Sequence, residues 1–187
     1  EENLNLIKKL VDQQKLQSEN EALRDQFQTE NPKSLSLLPA NIVGMRGFIP
    51  GVSVPESFII DKGSKDGVLV GAAVVFKDNL VGKVVKTGDF LSSVILVTNA
   101  SSGFAAKTAS GVLGVIKGQG NGEIIFQNVL LSENLKKGDF ILTISDPPAL
   151  LVGEIISVEK NPIELFQAGR VRSLINFSGL SKVFVVK

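Results

Sequence analysis

The stretch IIDKGSKDGV, residues 59–68, holds the residue types in this chain that come nearest to a catalytic motif. Asp61 follows two isoleucines and precedes Gly63 and Ser64, and aspartic proteases present a catalytic carboxylate on a loop of this kind. That chemistry needs two facing carboxylates that share one proton. The alternative interpretation is a polar turn between two strands, in which Gly63 and Gly67 are free to adopt positive φ angles.

A repeat within the sequence helps to separate these two interpretations. A shift of 71 residues without gaps superimposes 65–85 on 136–156. Under the same shift the counterpart of Asp61 is Ser132, so the repeat supplies no second carboxylate. An aspartate-dependent or protease-like hydrolase therefore remains only an alternative, and the repeat predicts two similar β-units in tandem, each with a Lys-x-Gly turn. The identical pairs are Lys65/Lys136, Gly67/Gly138, Leu80/Leu151, Val81/Val152 and Gly82/Gly153.

The composition excludes most other kinds of catalytic site. The 187 residues include no histidine and no cysteine, which rules out a Ser-His-Asp triad, a Cys-His dyad and any imidazole or thiolate metal ligand. The segment 61–67 lacks the ligand spacing of a calcium loop and the sequence of a phosphate loop. We expect no catalytic residue, no metal and no cofactor. A net charge of +1 without a long basic run argues against nucleic acid as a partner.

Two further motifs have a structural and a functional interpretation. GQGNG at 118–122 superficially resembles a dinucleotide-binding loop, but no helix follows it, and Asn121-Gly122 between apolar pairs predicts a hairpin turn. Arg170 and Arg172 are two residues apart, so they face the same side of a strand. They could bind an anion or an acidic partner, although a solvated strand face is the simpler interpretation.

The N-terminal segment, residues 2–30, contains neither glycine nor proline. From Leu16 onward, steps of four, three and four residues are typical of a coiled-coil heptad, with Asn20 at an a position, where a buried Asn fixes register and strand number. Between Leu6 and Leu16 the heptad phase shifts, which weakens that end. A solvated amphipathic helix is the alternative, but the polar composition favours a self-associating coiled coil. Its predicted seam is Leu6, Leu10, Leu16, Asn20, Leu23 and Phe27.

Short strand-like segments separated by glycine-rich turns fill the chain from Ile42 onward. We predict a mainly β fold in which an N-terminal helix precedes two tandem small β-barrels. The predicted organisation is a coiled-coil dimerisation helix at 1–31, a linker at 32–40, a first barrel at 41–100 and a second at 101–187, with the last strand free to return to the first barrel. The predicted strands are 42–46, 57–61, 72–76, 80–87, 93–98, 103–108, 112–117, 123–127, 139–144, 151–158, 168–175 and 182–186.

Two segments carry a family resemblance. SFIIDKGSKDGVLVGAAVVFKDNLVGKVVKTGDFLSSVILVTNASS at 57–102 resembles the first signature of the MreC family of cell-shape-determining proteins. The second signature is similar to GVLGVIKGQGNGEIIFQNVLLSENLKKGDFILTIS at 111–145 followed by LLVGEIISVEK at 150–160. The family commonly has a Thr-Ser-Gly loop where this chain has Asp146-Pro147-Pro148. The resemblance marks signature turns at Asp61, Gly63, Gly67, Gly82, Gly138 and Gly153.

The resemblance implies a non-enzymatic scaffold of the bacterial cell-elongation machinery. It implies two barrels in a chymotrypsin-like arrangement without protease function, carried by a dimeric stalk. The head would lie on the extracytoplasmic face of the inner membrane, anchored by a single membrane helix that this sequence does not include. Implied partners are further copies of the chain, MreD, MreB, a class B penicillin-binding transpeptidase and its SEDS glycosyltransferase. Through them the scaffold would organise peptidoglycan synthases and maintain rod shape.

Overall fold

The computed structural model describes residues 11, 12, 16, 36–144, 149–160, 163 and 165–187. The chain divides into two compact units, Glu1–Lys33 and Ser34–Lys187. In the first unit Val11, Asp12 and Leu16 are helical and exposed. No helix within the described part of the chain is long and apolar enough to cross a membrane. The other predicted seam residues lie outside the described residues, so the coiled-coil seam stays a prediction: Leu6, Leu10, Asn20, Leu23 and Phe27.

The second unit is mainly β, as the sequence predicts. Each of the predicted strand positions contains a strand, and the only described helical segments of this unit are two single 3₁₀ turns at Ser64–Asp66 and Phe177–Gly179. The strands are β1 (Leu37–Met45), β2 (Ser57–Ile60), β3 (Ala73–Phe76), β4 (Asn79–Thr87), β5 (Ser92–Leu96), β6 (Gly103–Thr108), β7 (Leu113–Gly120), β8 (Glu123–Leu130), β9 (Phe140–Thr143), β10 (Leu151–Lys160), β11 (Phe166–Arg172) and β12 (Lys182–Val186).

Strand β1 begins inside the stretch 32–40 that the sequence predicts as a linker. It includes Pro39, the residue that suggested a break, and Pro39 pairs with Phe184 of β12. In the described residues, 37–41 pair only with β12, whereas β2 pairs further along the strand, from Ile42 onward. Proline is tolerated there because an edge position does not need its missing N–H. The predicted linker therefore ends earlier than expected.

The strand pairings close into two rings of six strands each. The first ring runs β4–β5–β2–β1–β12–β3 and back to β4, and the second runs β10–β11–β8–β7–β6–β9 and back to β10. A closed ring leaves few backbone groups unpaired, which removes the exposed edges on which other strands aggregate.

The two rings place equivalent strands in the same order. Strand β4 corresponds to β10, β5 to β11 and β3 to β9, and a β-bulge interrupts both long hairpins at matching positions, between Val84 and Lys86 and between Ile155 and Ser157. The C-terminal strand β12 occupies in the first ring the place that β6 occupies in the second. It pairs with β1 on one side and β3 on the other. The chain's last strand thus completes the ring that its first strand began.

Each ring encloses its own apolar core. Side chains alternate between buried and outward-facing positions along β5 and along β8 as far as Gln127, the period expected of a strand with one buried face. The largest fully buried side chains of the first ring are Phe58, Phe184, Ile60 and Leu96, and those of the second are Phe126, Ile116, Ile141 and Ile155. Phenylalanine, the one aromatic residue type in the chain, supplies the bulk that the aliphatic residues pack around.

The two rings meet where β4 and β10 begin. Asn79 and Leu151 are a parallel pair, and the amide of Leu151 donates a hydrogen bond to the carbonyl oxygen of Asp78 at 2.9 Å. Both rings belong to the same compact unit, Ser34–Lys187.

Candidate interaction surfaces

Asp61, directly after β2, is a structural residue that joins the end of β2 to the middle of β1. Its Oδ1 accepts a hydrogen bond from the backbone N–H of Asn41 at 2.7 Å, and its Oδ2 accepts one from Asn41 Nδ2 at 2.6 Å. The Asp61 N–H donates back to the Asn41 carbonyl oxygen at 3.1 Å. Both carboxylate oxygens are therefore occupied within the turn, and the geometry does not favour the hydrolase alternative.

The rest of the DKGSKDG turn packs against the end of the β4–β5 hairpin. The amides of Ser64 and Lys65 donate to the carbonyl oxygens of Gly88 and Asp89 at 2.8 and 3.2 Å. Gly63 lies so close to these two carbonyl groups that a Cβ there would collide with them. The turn therefore requires glycine at Gly63 because of close backbone approach, which the sequence-based emphasis on positive φ did not anticipate. Gly67 does have a positive φ, 85°.

An acidic side chain closes the same turn. Asp66 Oδ2 accepts a hydrogen bond from the Gly63 N–H at 3.0 Å, and Asp66 Oδ1 lies 3.6 Å from Lys62 Nζ. The Gly63 hydrogen bond, with a smaller contribution from the Lys62 charge, lowers the pKa of Asp66 below its ordinary value of 3.8.

The Lys-x-Gly repeat aligns two turns that are not structurally equivalent. The Gly138 N–H, in a turn where Gly138 has φ 90°, donates a hydrogen bond to the Ile155 carbonyl oxygen. In the first ring the equivalent hydrogen bond, to the Val84 carbonyl oxygen, comes from Gly71, at φ 92°, and not from Gly67. The strands that follow, β3 and β9, match in the same way. The ungapped shift is correct for β4 and β10 only, because the β9–β10 connection, 144–150, is longer than the two-residue β3–β4 turn.

Gly82 and Gly153 occupy equivalent positions where the backbone of the neighbouring strand approaches closely. A Cβ on Gly82 would collide with the carbonyl oxygen of Ile95, and one on Gly153 would collide with the carbonyl oxygen of Arg172. These collisions involve the backbones of β5 and β11, which cannot move aside as a flexible side chain would. The repeated Leu-Val-Gly signature thus marks a close approach of neighbouring strands rather than a chemical group, and both glycines lie inside strands rather than in turns.

A second contact between the rings lies at the tip of the β7–β8 hairpin. As predicted, the GQGNG stretch forms a hairpin turn, with Asn121 and Gly122 at φ 51° and 82°. The Asn121 N–H donates to Glu56 Oε1 at 3.3 Å, and Asn99 Nδ2 donates to Glu56 Oε2 at 3.0 Å. Glu56 precedes β2, so one carboxylate ties the first ring to the turn of the second.

The first ring carries a group of exposed apolar side chains along the β4–β5 hairpin and the turn beside it. We call this group, Leu69, Val70, Val85, Phe90 and Leu91, the first-ring patch. Leu69 is 72% exposed and Phe90 64%. Lys65 Nζ lies 4.4 Å from the centre of the Phe90 ring and 3.1 Å from Asp89 Oδ2, so the tip of the hairpin is held in place while its apolar surface stays open.

The second ring carries a groove of about 580 Å³ on the outer face of β8, β10 and β11. We call it the second-ring groove. Arg170 and Arg172 line it from β11, as their spacing predicts. Arg170 Nε lies 3.4 Å from Glu159 Oε1, and Arg172 Nη2 donates to Glu154 Oε2 at 2.9 Å. Asn121 of the hairpin turn and Val54 of the first ring complete one wall.

The described residues offer no catalytic or metal constellation. They contain no group of three or more Asp and Glu residues placed to hold a metal ion. The features that do stand out, Asn41, Glu56 and the first-ring patch, were missed by sequence reasoning. Asn41 and Glu56 meet their partners across 20 residues and across 43 and 65 residues, respectively, so no local signal could identify them.

Comparisons with known proteins agree on one family. A family model described as "Rod shape-determining protein MreC, barrel core" matches residues 52–187. The cell shape-determining protein MreC of Haemophilus influenzae is 28% identical over an alignment of 156 residues, and the match covers 72% of this chain and 44% of that protein. The chain therefore spans less than half the length of this curated relative.

Solved structures show the same fold. A structure titled "MreC" superimposes with a TM-score of 0.80 at 22% identity and covers 92% of this chain and 99% of that one. A complex between penicillin-binding protein PBP2 and MreC from Helicobacter pylori includes a chain with a TM-score of 0.64 at 15% identity, covering 82% of this chain and 98% of that one. At these identities the likeness establishes the architecture alone.

Proposed function

The chain belongs to the MreC family of rod shape-determining proteins, and from that membership we propose that it is a non-enzymatic scaffold of bacterial cell elongation. In this role it maintains rod shape by organising peptidoglycan synthases rather than by performing a reaction. Two features support a non-enzymatic role: the chain has no histidine or cysteine, and both carboxylate oxygens of Asp61 are engaged by Asn41.

The observation that carries the proposal is the first-ring patch. Leu69 and Val70 in the turn before β3, and Phe90 and Leu91 at the tip of the β4–β5 hairpin, are large apolar side chains that are more than half exposed. Grouped exposed apolar side chains mark interaction sites. Burial of apolar surface is the dominant favourable contribution to most protein–protein association. The hydrogen bonds from Ser64 and Lys65 to the hairpin hold the surface ready, so little conformational entropy is lost when a partner docks.

The partner that we propose for this patch is a class B penicillin-binding transpeptidase. The Helicobacter pylori complex pairs an MreC chain of the same fold with a penicillin-binding protein, which supports this class of partner. MreD, MreB and the SEDS glycosyltransferase are proposed as further partners through the family resemblance. We place the head on the extracytoplasmic side of the inner membrane, and we propose that a single membrane helix outside these 187 residues anchors it there.

The architecture that we propose is a stalk with a two-barrel head. The two strand rings would be tandem barrels in a chymotrypsin-like arrangement, near 41–100 with β12 for the first and 101–181 for the second. Residues 1–31 would form a coiled-coil homodimer through the predicted seam. A dimeric stalk presents two heads together, which raises their effective concentration at membrane-bound synthases.

Binding of the patch to a transpeptidase tests the proposal. The double variant Leu69→Ser, Phe90→Ser of the 187-residue chain should bind the extracytoplasmic part of the class B transpeptidase of the same organism about tenfold more weakly. The matched control is Val52→Ser, because Val52 is 77% exposed but lies outside the patch. Equal affinities for the double variant and the unchanged chain, measured by biolayer interferometry, would exclude the patch as the docking surface.

A further inference from the structure

We propose that the second-ring groove binds a short peptide with a free C-terminal carboxylate, a ligand class that scaffold function does not require. Its volume of about 580 Å³ lies within the range of small-molecule sites, ~300–1,000 Å³. It faces away from the closed core of the second ring, and its lining comes from β8, β10, β11, the segment that follows β11, the tip of the β7–β8 hairpin and Val54.

The groove places a guanidinium beside aliphatic side chains. Arg170 pairs with Ile125 across β8 and β11, and Ile156 lies next to them at the bulge of β10. The ion pair with Glu159 joins Arg170 Nε to Oε1 at 3.4 Å, and the planar guanidinium carries further N–H donors that suit a planar acceptor. A carboxylate fits such a fork in a bidentate manner, and the two isoleucines suit the small apolar side chains of the residues attached to it.

The acidic residues of the groove select against more highly charged anions. Glu123 and Glu159 line it together with Arg170 and Arg172, and Glu154 pairs with Arg172 beside it. Glu159 and Glu154 therefore match the two arginines, and Glu123 leaves the site with one excess negative charge. A phosphate group would place a charge of about −2 next to these carboxylates. A peptide brings one carboxylate to the arginines, and its amino group or a lysine side chain offers a positive charge to Glu123. Charge complementarity therefore favours a zwitterionic peptide.

The polar rim suits a peptide backbone rather than a base or a sugar. Gln119, Asn121 and Asn176 present carboxamides, which both donate and accept hydrogen bonds as peptide groups do. The aromatic residue of the lining, Phe177, is only 4% exposed, so the described groove has no open ring face on which a base could stack.

A titration of the ¹⁵N-labelled full chain tests the assignment. The probe is the tripeptide Lys-Ala-Ala with a free carboxylate, added to about 10 mM because small ligands of this size bind weakly. We expect saturable amide shifts at Asn121, Gly122, Ser173 and Asn176. The same peptide with an amidated C terminus should bind about tenfold more weakly, since it lacks the charge that Arg170 recognises.

Variants separate the groove from general surface attraction. Arg170→Gln should weaken the tripeptide about tenfold, and Arg170→Lys should fall between that variant and the unchanged chain, because lysine keeps the charge but not the fork. Arg46→Gln is the matched control, since Arg46 belongs to the first ring and lies outside the groove lining, so it should leave the affinity unchanged. Circular dichroism of each variant checks that the fold is intact.

Three results would overturn the proposal. The first is the absence of shifts at the groove amides. The second is an affinity of Arg170→Gln equal to that of the unchanged chain. The third is equal or stronger binding of inorganic phosphate at the same amides. None of these results bears on transpeptidase binding by the first-ring patch, so the two proposals fail independently.

Discussion

Residues of this chain whose types suggest catalysis instead stabilise turns. Asp61 is the clearest case, because its carboxylate joins β1 to β2 through Asn41. The sequence predicts the polar turn between two strands as the alternative to a catalytic loop, because a turn depends on local residue types. It cannot identify Asn41 as the partner, because the register that brings these residues together depends on strand pairing over long distances.

Asp61→Ala should destabilise the second unit by about 1–3 kcal/mol, because the variant leaves the Asn41 N–H and carboxamide without their acceptor. Urea denaturation measures the change. Asp89→Ala is the matched control: the Asp89 carboxylate makes an exposed ion pair with Lys65, so its loss should cost under about 1 kcal/mol. Equal losses in the two variants would contradict the role assigned to Asp61.

Asp66 should make stability depend on pH at the acidic end. Its pKa is lowered in the folded state, so the folded protein binds fewer protons there than the unfolded chain does. The resulting stabilisation is fully present above the ordinary pKa of 3.8 and is lost as the pH falls through the folded value. The stability difference between the unchanged chain and Asp66→Asn should therefore shrink below about pH 4. A difference that stays constant from neutral to strongly acidic pH would refute this.

At the scale of elements, the sequence predicts the strands better than their equivalence. Strand positions follow from local alternation and from glycine-rich turns, and β2 and β5 lie close to their predicted bounds. Ring closure is not visible in the sequence because it depends on non-local pairing. The 71-residue shift is correct for β4 and β10, but the connection before β10, 144–150, is longer than the turn before β4. Upstream of that connection the same shift is too large, so it aligns Gly67 instead of Gly71 with Gly138.

Gly82→Ala and Gly153→Ala should each destabilise the second unit by about 1–3 kcal/mol or more, since the added methyl group collides with the backbone of the neighbouring strand. Gly103→Ala is the matched control: it also lies in a strand, but its nearest atom, the Ile116 carbonyl oxygen, would be 3.7 Å from the new Cβ. Its change should stay within about 0.5 kcal/mol. Thermal denaturation measures the stability of the three variants. A loss of stability in Gly103→Ala as large as that in Gly82→Ala would contradict the role assigned to the close approach of the neighbouring strand.

At the scale of the whole molecule, the two compact units lead us to expect separate folding and association. Removal of residues 1–33 should leave Ser34–Lys187 folded and monomeric, because the proposed dimer contacts lie in the removed segment. Light scattering measures the mass, and far-ultraviolet circular dichroism confirms the β-structure. A truncated chain that remains a dimer would place the association surface in the strand rings instead.

The place of β12 predicts how the molecule responds to C-terminal truncation. Deletion of 182–187 removes buried Val183, Phe184 and Val185 and opens the first ring between β1 and β3. Hydrogen exchange should then be fast in β1 to β5 and remain slow in β6 to β11. Deletion of Lys187 alone, the control, should leave both rings protected. Uniform loss of protection in the two rings would show that they fold only together.

This same strand makes closure of the first ring depend on synthesis as far as β12. The strands of the second ring follow one another along the chain, so that ring can close while the chain is still being made. In the first ring, one side of β1 and one side of β3 stay unpaired until β12 leaves the ribosome. A chain cut short before β12 by an early stop or by proteolysis keeps those edges open, and open edges are what chaperones and proteases recognise. Only a chain that includes β12 can close the first ring and present the first-ring patch on it.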